Sequence, residues 1–105
     1  MHGGIDLAAP EGTEVYAVKN GTVMELGEDP IIGKYVIISH ENNMVSLYGH
    51  LSSISPGTNL YANVQSNSII AKVGSTGQST GPHLHFELRQ NGQSRDPARL
   101  LRLFQ

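Results

Sequence analysis

His83 and His85, in Gly81-Pro82-His83-Leu84-His85-Phe86-Glu87-Leu88, carry the clearest chemical signal in this chain. On a strand, side chains alternate, so Leu84, Phe86 and Leu88 point one way and His83, His85 and Glu87 the other. The apolar set can bury itself while two imidazoles stand side by side on the opposite face. A sheet built for stability alone has little use for them, because each ring is costly to bury and adds little packing. Two neighbouring nitrogens suit one small object, a metal ion or a reacting group. The plain alternative is a solvent-facing strand that happens to hold histidines.

Three other histidines and several acids are weighed against that pair. In His2-Gly3-Gly4-Ile5-Asp6 the two glycines argue against a helix and let the backbone fold so that imidazole and carboxylate reach one centre. Nitrogen and carboxylate oxygen both suit Zn²⁺. His50 ends Leu47-Tyr48-Gly49-His50, where a surface histidine is the ordinary reading. His40 ends the preceding strand beside Glu41-Asn42-Asn43, a solvated hairpin tip, and is assigned no chemistry. Glu87 either supports a ligating histidine or pairs with Arg89 or Arg95, the latter slightly favoured. Together His2, His50, His83, His85 and Asp6 have the stoichiometry of a catalytic zinc site: three ligands, one open position, and two imidazoles to move protons.

The elements that must position these residues are short strands. Ile5-Asp6-Leu7, Glu14 to Lys19, Thr22 to Leu26, Lys34 to His40, Met44 to His50, Ile69 to Val73 and the His-x-His run are β in pattern. Asn20-Gly21 and Gln90-Asn91-Gly92-Gln93 predict hairpins, and Glu41-Asn42-Asn43 a turn. Gly27 to Gly33, Leu51 to Thr58 and Gly74 to Pro82 are expected to be loops. Between Asn59 and Ser68 a short strand around Leu60-Tyr61 and a turn at Asn67-Ser68 are expected. Asp96-Pro97 can start one helical turn through Leu101. Sustained helical periodicity is missing, so the fold class is all-β, a small antiparallel sandwich or partly open barrel.

Composition narrows the function. A chain of 105 residues is one domain. Its formal net charge of −2 gives no electrostatic case for nucleic acid. Two lysines face seven acids in residues 1–52, and Lys72 with four arginines faces Glu87 and Asp96 thereafter, a split expected of solvated faces. With no cysteine, thiolate metal sites and cysteine nucleophiles are excluded. No apolar run approaches the roughly 20 residues of a membrane span. The abrupt opening Met1-His2-Gly3-Gly4 predicts a domain cut from a longer polypeptide.

Three blocks together carry a resemblance: His2-Gly3-Gly4-Ile5-Asp6-Leu7-Ala8-Ala9-Pro10, Leu47-Tyr48-Gly49-His50-Leu51, and Gly74-Ser75-Thr76-Gly77-Gln78-Ser79-Thr80-Gly81-Pro82-His83-Leu84-His85-Phe86-Glu87. In order and spacing they resemble the signature of the lysostaphin/LytM-type zinc peptidases, family M23, from His2 to about Leu101. The resemblance implies a small antiparallel β domain of the duplicated hybrid motif type, here lacking the family's N-terminal strand. It implies that His2, Asp6 and His85 hold Zn²⁺ and that His50 and His83 are catalytic. It further implies an endopeptidase acting on peptidoglycan peptides, in stem or cross-bridge, in the bacterial envelope or outside the cell, within a larger parent protein. Asn59 to Ser68 departs from the family in lacking a repeated Gly-Gln.

Two other functions compete. A non-catalytic LytM-like domain that binds or regulates cell-wall components would usually lack a ligand, whereas all five positions are filled. A phosphocarrier with paired histidines would not need Asp6 or the block at His2.

Overall fold

Residues 4–95 are described by the structure, a computed structural model. Alternating apolar and polar residues, punctuated by Gly, Asn and Pro, form nine strands. They are β1 (Gly4–Ala8), β2 (Glu14–Tyr16), β3 (Gly21–Asp29), β4 (Gly33–Ser39), β5 (Met44–Ile54), β6 (Asn63–Val64), β7 (Ile69–Val73), β8 (His83–Gln90) and β9 (Gln93–Arg95). Every pairing is antiparallel, and the sheet runs β1-β8-β5-β4-β3-β6 without closing on itself. A branch leaves it at the far end of β5, where β7 pairs with β5 and β2 with β7, while β9 pairs with β8. The described residues are therefore all-β and antiparallel, as expected. The helical turn expected over 96–101 lies outside the described residues. No helix among them is long and apolar enough to cross a membrane.

The core comes from both arms. Val23, Val36, Ile38, Leu51, Ile70, Ala71 and Leu88 are wholly buried, and Tyr48 nearly so. Each large apolar side chain buried this way stabilises the fold by about 1.5–3 kcal/mol. In β4, Val36 and Ile38 face inward while Tyr35 and Ile37 are less buried. A one-residue slip of that strand would turn the buried pair to the outside, which fixes the register.

Several expected boundaries move, each for a physical reason. β3 continues through Gly27 and Glu28 to Asp29, so most of the expected loop at 27–33 is strand. The Asp29 carboxylate accepts from the Ile31 and Ile32 amides at 2.7 and 3.1 Å, closing the turn tightly, and Glu28 faces Lys34 across the ladder. β5 runs on through Leu51–Ile54, expected to be loop, because β7 offers it a partner and Leu51 a buried site. β2 stops at Tyr16 rather than Lys19. The short strand expected at Leu60-Tyr61 is instead Asn63–Val64; Tyr61 is exposed with φ of 69°. The turn at Asn67-Ser68 is present, with the Ser68 amide donating to Gln65 O.

Asn20-Gly21 forms no hairpin: β2 pairs with β7, and β3 with β4 and β6. A two-residue type I′ turn needs φ > 0 at both centres, a condition met by Asn91-Gly92 (55° and 78°) but by neither Asn20 nor Gly21. The glycine at 21 serves close approach instead. A Cβ there would lie 2.4 Å from the Ser39 carbonyl oxygen.

Candidate functional site

β1 and β8 lie side by side with Asp6 opposite His85, Ala8 opposite His83 and Gly4 opposite Glu87. Residues opposite one another share a face, so Asp6, His83, His85 and Glu87 stand on one surface. Leu7, Leu84 and Phe86 line a cavity of about 460 Å³ behind it, with Val15, Tyr16 and Tyr48. That cavity is mainly apolar, with Glu14 and Asn67 also in its wall, and none of the histidines lines it. Asp6 Oδ1 lies 2.9 Å from His85 Nδ1 and 3.6 Å from His83 Nε2.

β5 brings the third ring. Gly49 pairs with His85, and at the next residue the ladder to β4 slips: Tyr48 faces Val36 but Leu51 faces Lys34. Gly49 and His50 form this bulge, with His50 in the left-handed region at φ 60° and its amide donating to Ile32 O at 2.6 Å. A bulge re-aims a side chain out of strict alternation. Here it brings His50 to 4.5 Å from His83 and 6.0 Å from His85, measured between ring centroids. The ring is buried, not a surface strand end.

The Gly74–Pro82 loop fixes which nitrogen each ring presents. Thr76 pins it to the sheet, donating through Oγ1 to Leu51 O and accepting from the Lys34 amide. The Thr76 carbonyl then meets His50 Nδ1 at 2.6 Å, and the Gly81 carbonyl meets His83 Nδ1 at 2.8 Å. Carbonyls only accept, so both Nδ1 atoms carry a proton, and in the neutral ring each Nε2 keeps its lone pair. Ser79 adds a contact to His83 Nδ1 at 3.2 Å. Thr76 and these carbonyls escape sequence reasoning, since a backbone carbonyl has no residue signature.

His85 is different. Its Nε2 lies 2.7 Å from Glu87 Oε2, while Glu87 Oε1 accepts from Arg89 at 3.0 Å. The two roles weighed for Glu87 are therefore filled together; the Arg95 side chain lies outside those described. Both ring nitrogens face carboxylate oxygens, yet a neutral imidazole has one N–H. One contact must be completed by an added proton or by a cation. Burial pulls the His85 pKa down, but the bonds and charges of Glu87 and Asp6 outweigh it, so the net shift is upward. A lone pair on Nδ1 beside a carboxylate oxygen is also the donor chemistry of a Zn²⁺ site, so these residues fit that ion.

The structure thus brings Asp6, His50, His83 and His85 together from β1, β5 and β8. His2 lies outside the described residues. Among the described residues no three acids or imidazoles form a group that could hold a metal by themselves. His40 is absent from the site, and its expected setting is corrected: it is buried, with Nδ1 on the Asn20 carbonyl and Nε2 on Ser46 Oγ.

Comparison with known proteins gives the same picture. The chain is 46% identical over 97 residues to the DD-carboxypeptidase/endopeptidase Mpg of Neisseria meningitidis, covering 92% of this chain and 22% of that protein. It is 40% identical over 92 residues to the peptidoglycan DD-endopeptidase ShyA of Vibrio cholerae, covering 88% and 21%. It spans about a fifth of the length of either relative. A crystallised zinc-containing peptidase from Vibrio cholerae superposes with a TM-score of 0.84 at 35% identity, over 90% of this chain and 28% of that one. The sequence profile described as Peptidase family M23 matches residues 1–97, a span that includes each of the three blocks, and the chain belongs to that family.

Proposed function

We propose that this domain is a zinc-dependent endopeptidase that hydrolyses peptide bonds in bacterial peptidoglycan, with His2, Asp6 and His85 as the metal ligands. The observation that carries the reading is the meeting of Asp6, His50, His83 and His85 on one face, with the proton positions of His50 and His83 set by backbone carbonyls. Zn²⁺ in such a site supplies a Lewis acid for the scissile carbonyl and a water of lowered pKa. The chain's own part is proton movement. Nε2 of one histidine takes the proton of the attacking water; the other, in its doubly protonated form with an N–H on each nitrogen, stabilises the developing oxyanion or gives its Nε2 proton to the leaving amine. Nδ1 of each ring stays on its carbonyl throughout, so the rings need not turn between steps.

The names of the two relatives favour a bond between D-configured residues over a glycine bridge as the one cut. The same names support a place in the cell envelope or outside the cell, within a longer parent protein. The test joins metal analysis to digestion. Purified protein should carry about one zinc per chain, and incubation with sacculi from several bacteria should release peptides whose masses identify the bond. His85→Ala should lose the metal. A protein that hydrolyses sacculi after zinc is stripped, or a His85→Ala variant with unchanged zinc content, would overturn the ligand assignment.

A further inference from the structure

We propose that Glu87, Arg89 and Gly4 form a socket that fixes the His85 ring with its proton on Nε2 and its Nδ1 lone pair toward Asp6. The inference deepens the zinc reading above and rests on it for its purpose, though not for its geometry. Glu87 is only 8% exposed, although a carboxylate is seldom buried unless it is paired. Its two oxygens serve different partners. Oε1 takes the Arg89 guanidinium, which leaves Oε2 for the ring. Two acids compete for the His85 proton, and burial decides between them. The Asp6 side chain is 63% exposed and can turn to water, whereas that of Glu87 at 11% cannot. An unmade bond therefore costs more at Glu87, and the proton belongs on Nε2.

Gly4 supplies the room. It pairs with Glu87 across the ladder, and a Cβ built on it would lie 2.8 Å from His85 Cε1 and 2.9 Å from Glu87 Cγ. A ring edge held at both nitrogens is not a free end that swings away. Any side chain at position 4 must displace the ring, the carboxylate or the strand. Glu87, Arg89 and Gly4 are positioning residues: they set which nitrogen is presented and where it points, in the way that hydrogen-bonded carboxylates orient metal-ligating histidines generally.

The test reads the tautomer directly, on ¹⁵N-labelled protein stripped of metal, above the pH where the ring titrates, by long-range ¹H–¹⁵N correlation. Zinc affinity is measured beside it by competition with a chromophoric chelator. Wild type should show His85 protonated on Nε2. Glu87→Gln keeps an accepting oxygen, so it should keep that tautomer and bind zinc within a few-fold of wild type. Glu87→Ala should move the proton toward Nδ1, where Asp6 is the remaining acceptor, and weaken zinc about 10–100-fold. Gly4→Ala should do the same with Glu87 in place, and decides the matter if Glu87→Ala fails to fold. Retention of both the tautomer and wild-type zinc affinity in Gly4→Ala or a folded Glu87→Ala would overturn the socket. A wild-type protein that binds no zinc would sink the peptidase reading, while the metal-free spectrum would still decide the socket.

Discussion

His40 and His50 each end a run of apolar strand in the sequence, and they are buried alike, at 7% and 6% exposed. Their hydrogen bonds separate them. His40 engages both nitrogens inside the protein, Nδ1 at 2.8 Å from Asn20 O and Nε2 at 2.7 Å from Ser46 Oγ. Among the described residues His50 engages only Nδ1, on Thr76 O, and turns the rest of its ring toward His83 and His85. Burial therefore says little about whether a histidine can do chemistry. What counts is whether a nitrogen is left over.

The largest test of that distinction is on activity. His50→Ala should keep zinc and the fold but lose sacculus hydrolysis by about 10²–10⁴-fold, the usual worth of a positioned acid or base. His40→Ala should leave hydrolysis per folded molecule unchanged. If the two variants lost activity equally with zinc retained, the leftover-nitrogen criterion would fail. Digestion rates set beside circular-dichroism melts separate the cases.

His40→Ala should instead cost stability, by about 1–3 kcal/mol, because it strands buried Ser46. In this chain of side chains the Val18 amide and the Ser46 hydroxyl both donate to Tyr48 Oη, and Ser46 Oγ lies 2.7 Å from His40 Nε2. Asn20 O holds the other nitrogen. Urea unfolding of the variant against wild type measures the loss, and a change under about 0.5 kcal/mol would show that the chain is slack.

The same chain has a pH signature. Burial pushes the His40 pKa below its ordinary value; the Asn20 bond opposes this and the Lys19 charge adds to it. With the folded pKa below the unfolded one, the unfolded state takes up the proton first. The contribution is present above about pH 6.5, the ordinary histidine value, and is lost as pH falls through the folded value. Between pH 7 and 5, wild type should lose more stability than His40→Ala does. His85, raised rather than lowered, contributes with the opposite sign, so only the difference between the two proteins isolates His40.

What the sequence made legible was local and periodic. Alternation placed His83 and His85 on one face of a real strand, and the β-branched run at 34–40 lies within β4 but for its last residue. Illegible were features decided by partners distant in sequence. Asn20-Gly21 has the composition of a turn, yet Gly21 is small because Ser39 crosses it. His40 sits next to polar residues but beneath Asn20 and Ser46, which only the pairing of β4 with β3 and β5 brings near. The His50 bulge has no signal beyond Gly49-His50, since a register shift belongs to two strands at once. Glu87 could be assigned either of two partners because one-dimensional spacing cannot show that a carboxylate's two oxygens serve both.

The finest test lies between the two histidines, at Tyr48. Its ring packs on Phe86 at 5.3 Å and an interplanar angle of 51°, one residue from the Gly49–His85 pair of the site, while its hydroxyl belongs to the His40 chain. Burial holds that hydroxyl's pKa up at about 12, against the pull of the Ser46 and Val18 donors, so it stays protonated at any working pH. Tyr48→Phe keeps the ring stack and removes only the hydroxyl. The Val18 amide and the Ser46 hydroxyl each lose an acceptor, but Ser46 keeps His40 Nε2 as a partner. The expected cost is therefore about 1 kcal/mol, smaller than for His40→Ala, with sacculus hydrolysis unchanged. A drop in hydrolysis of tenfold or more in a folded Tyr48→Phe protein would mean that the buried chain and the histidine face act as one unit. The contrast between a fully engaged ring and one with a nitrogen to spare would then no longer divide structure from chemistry in this domain.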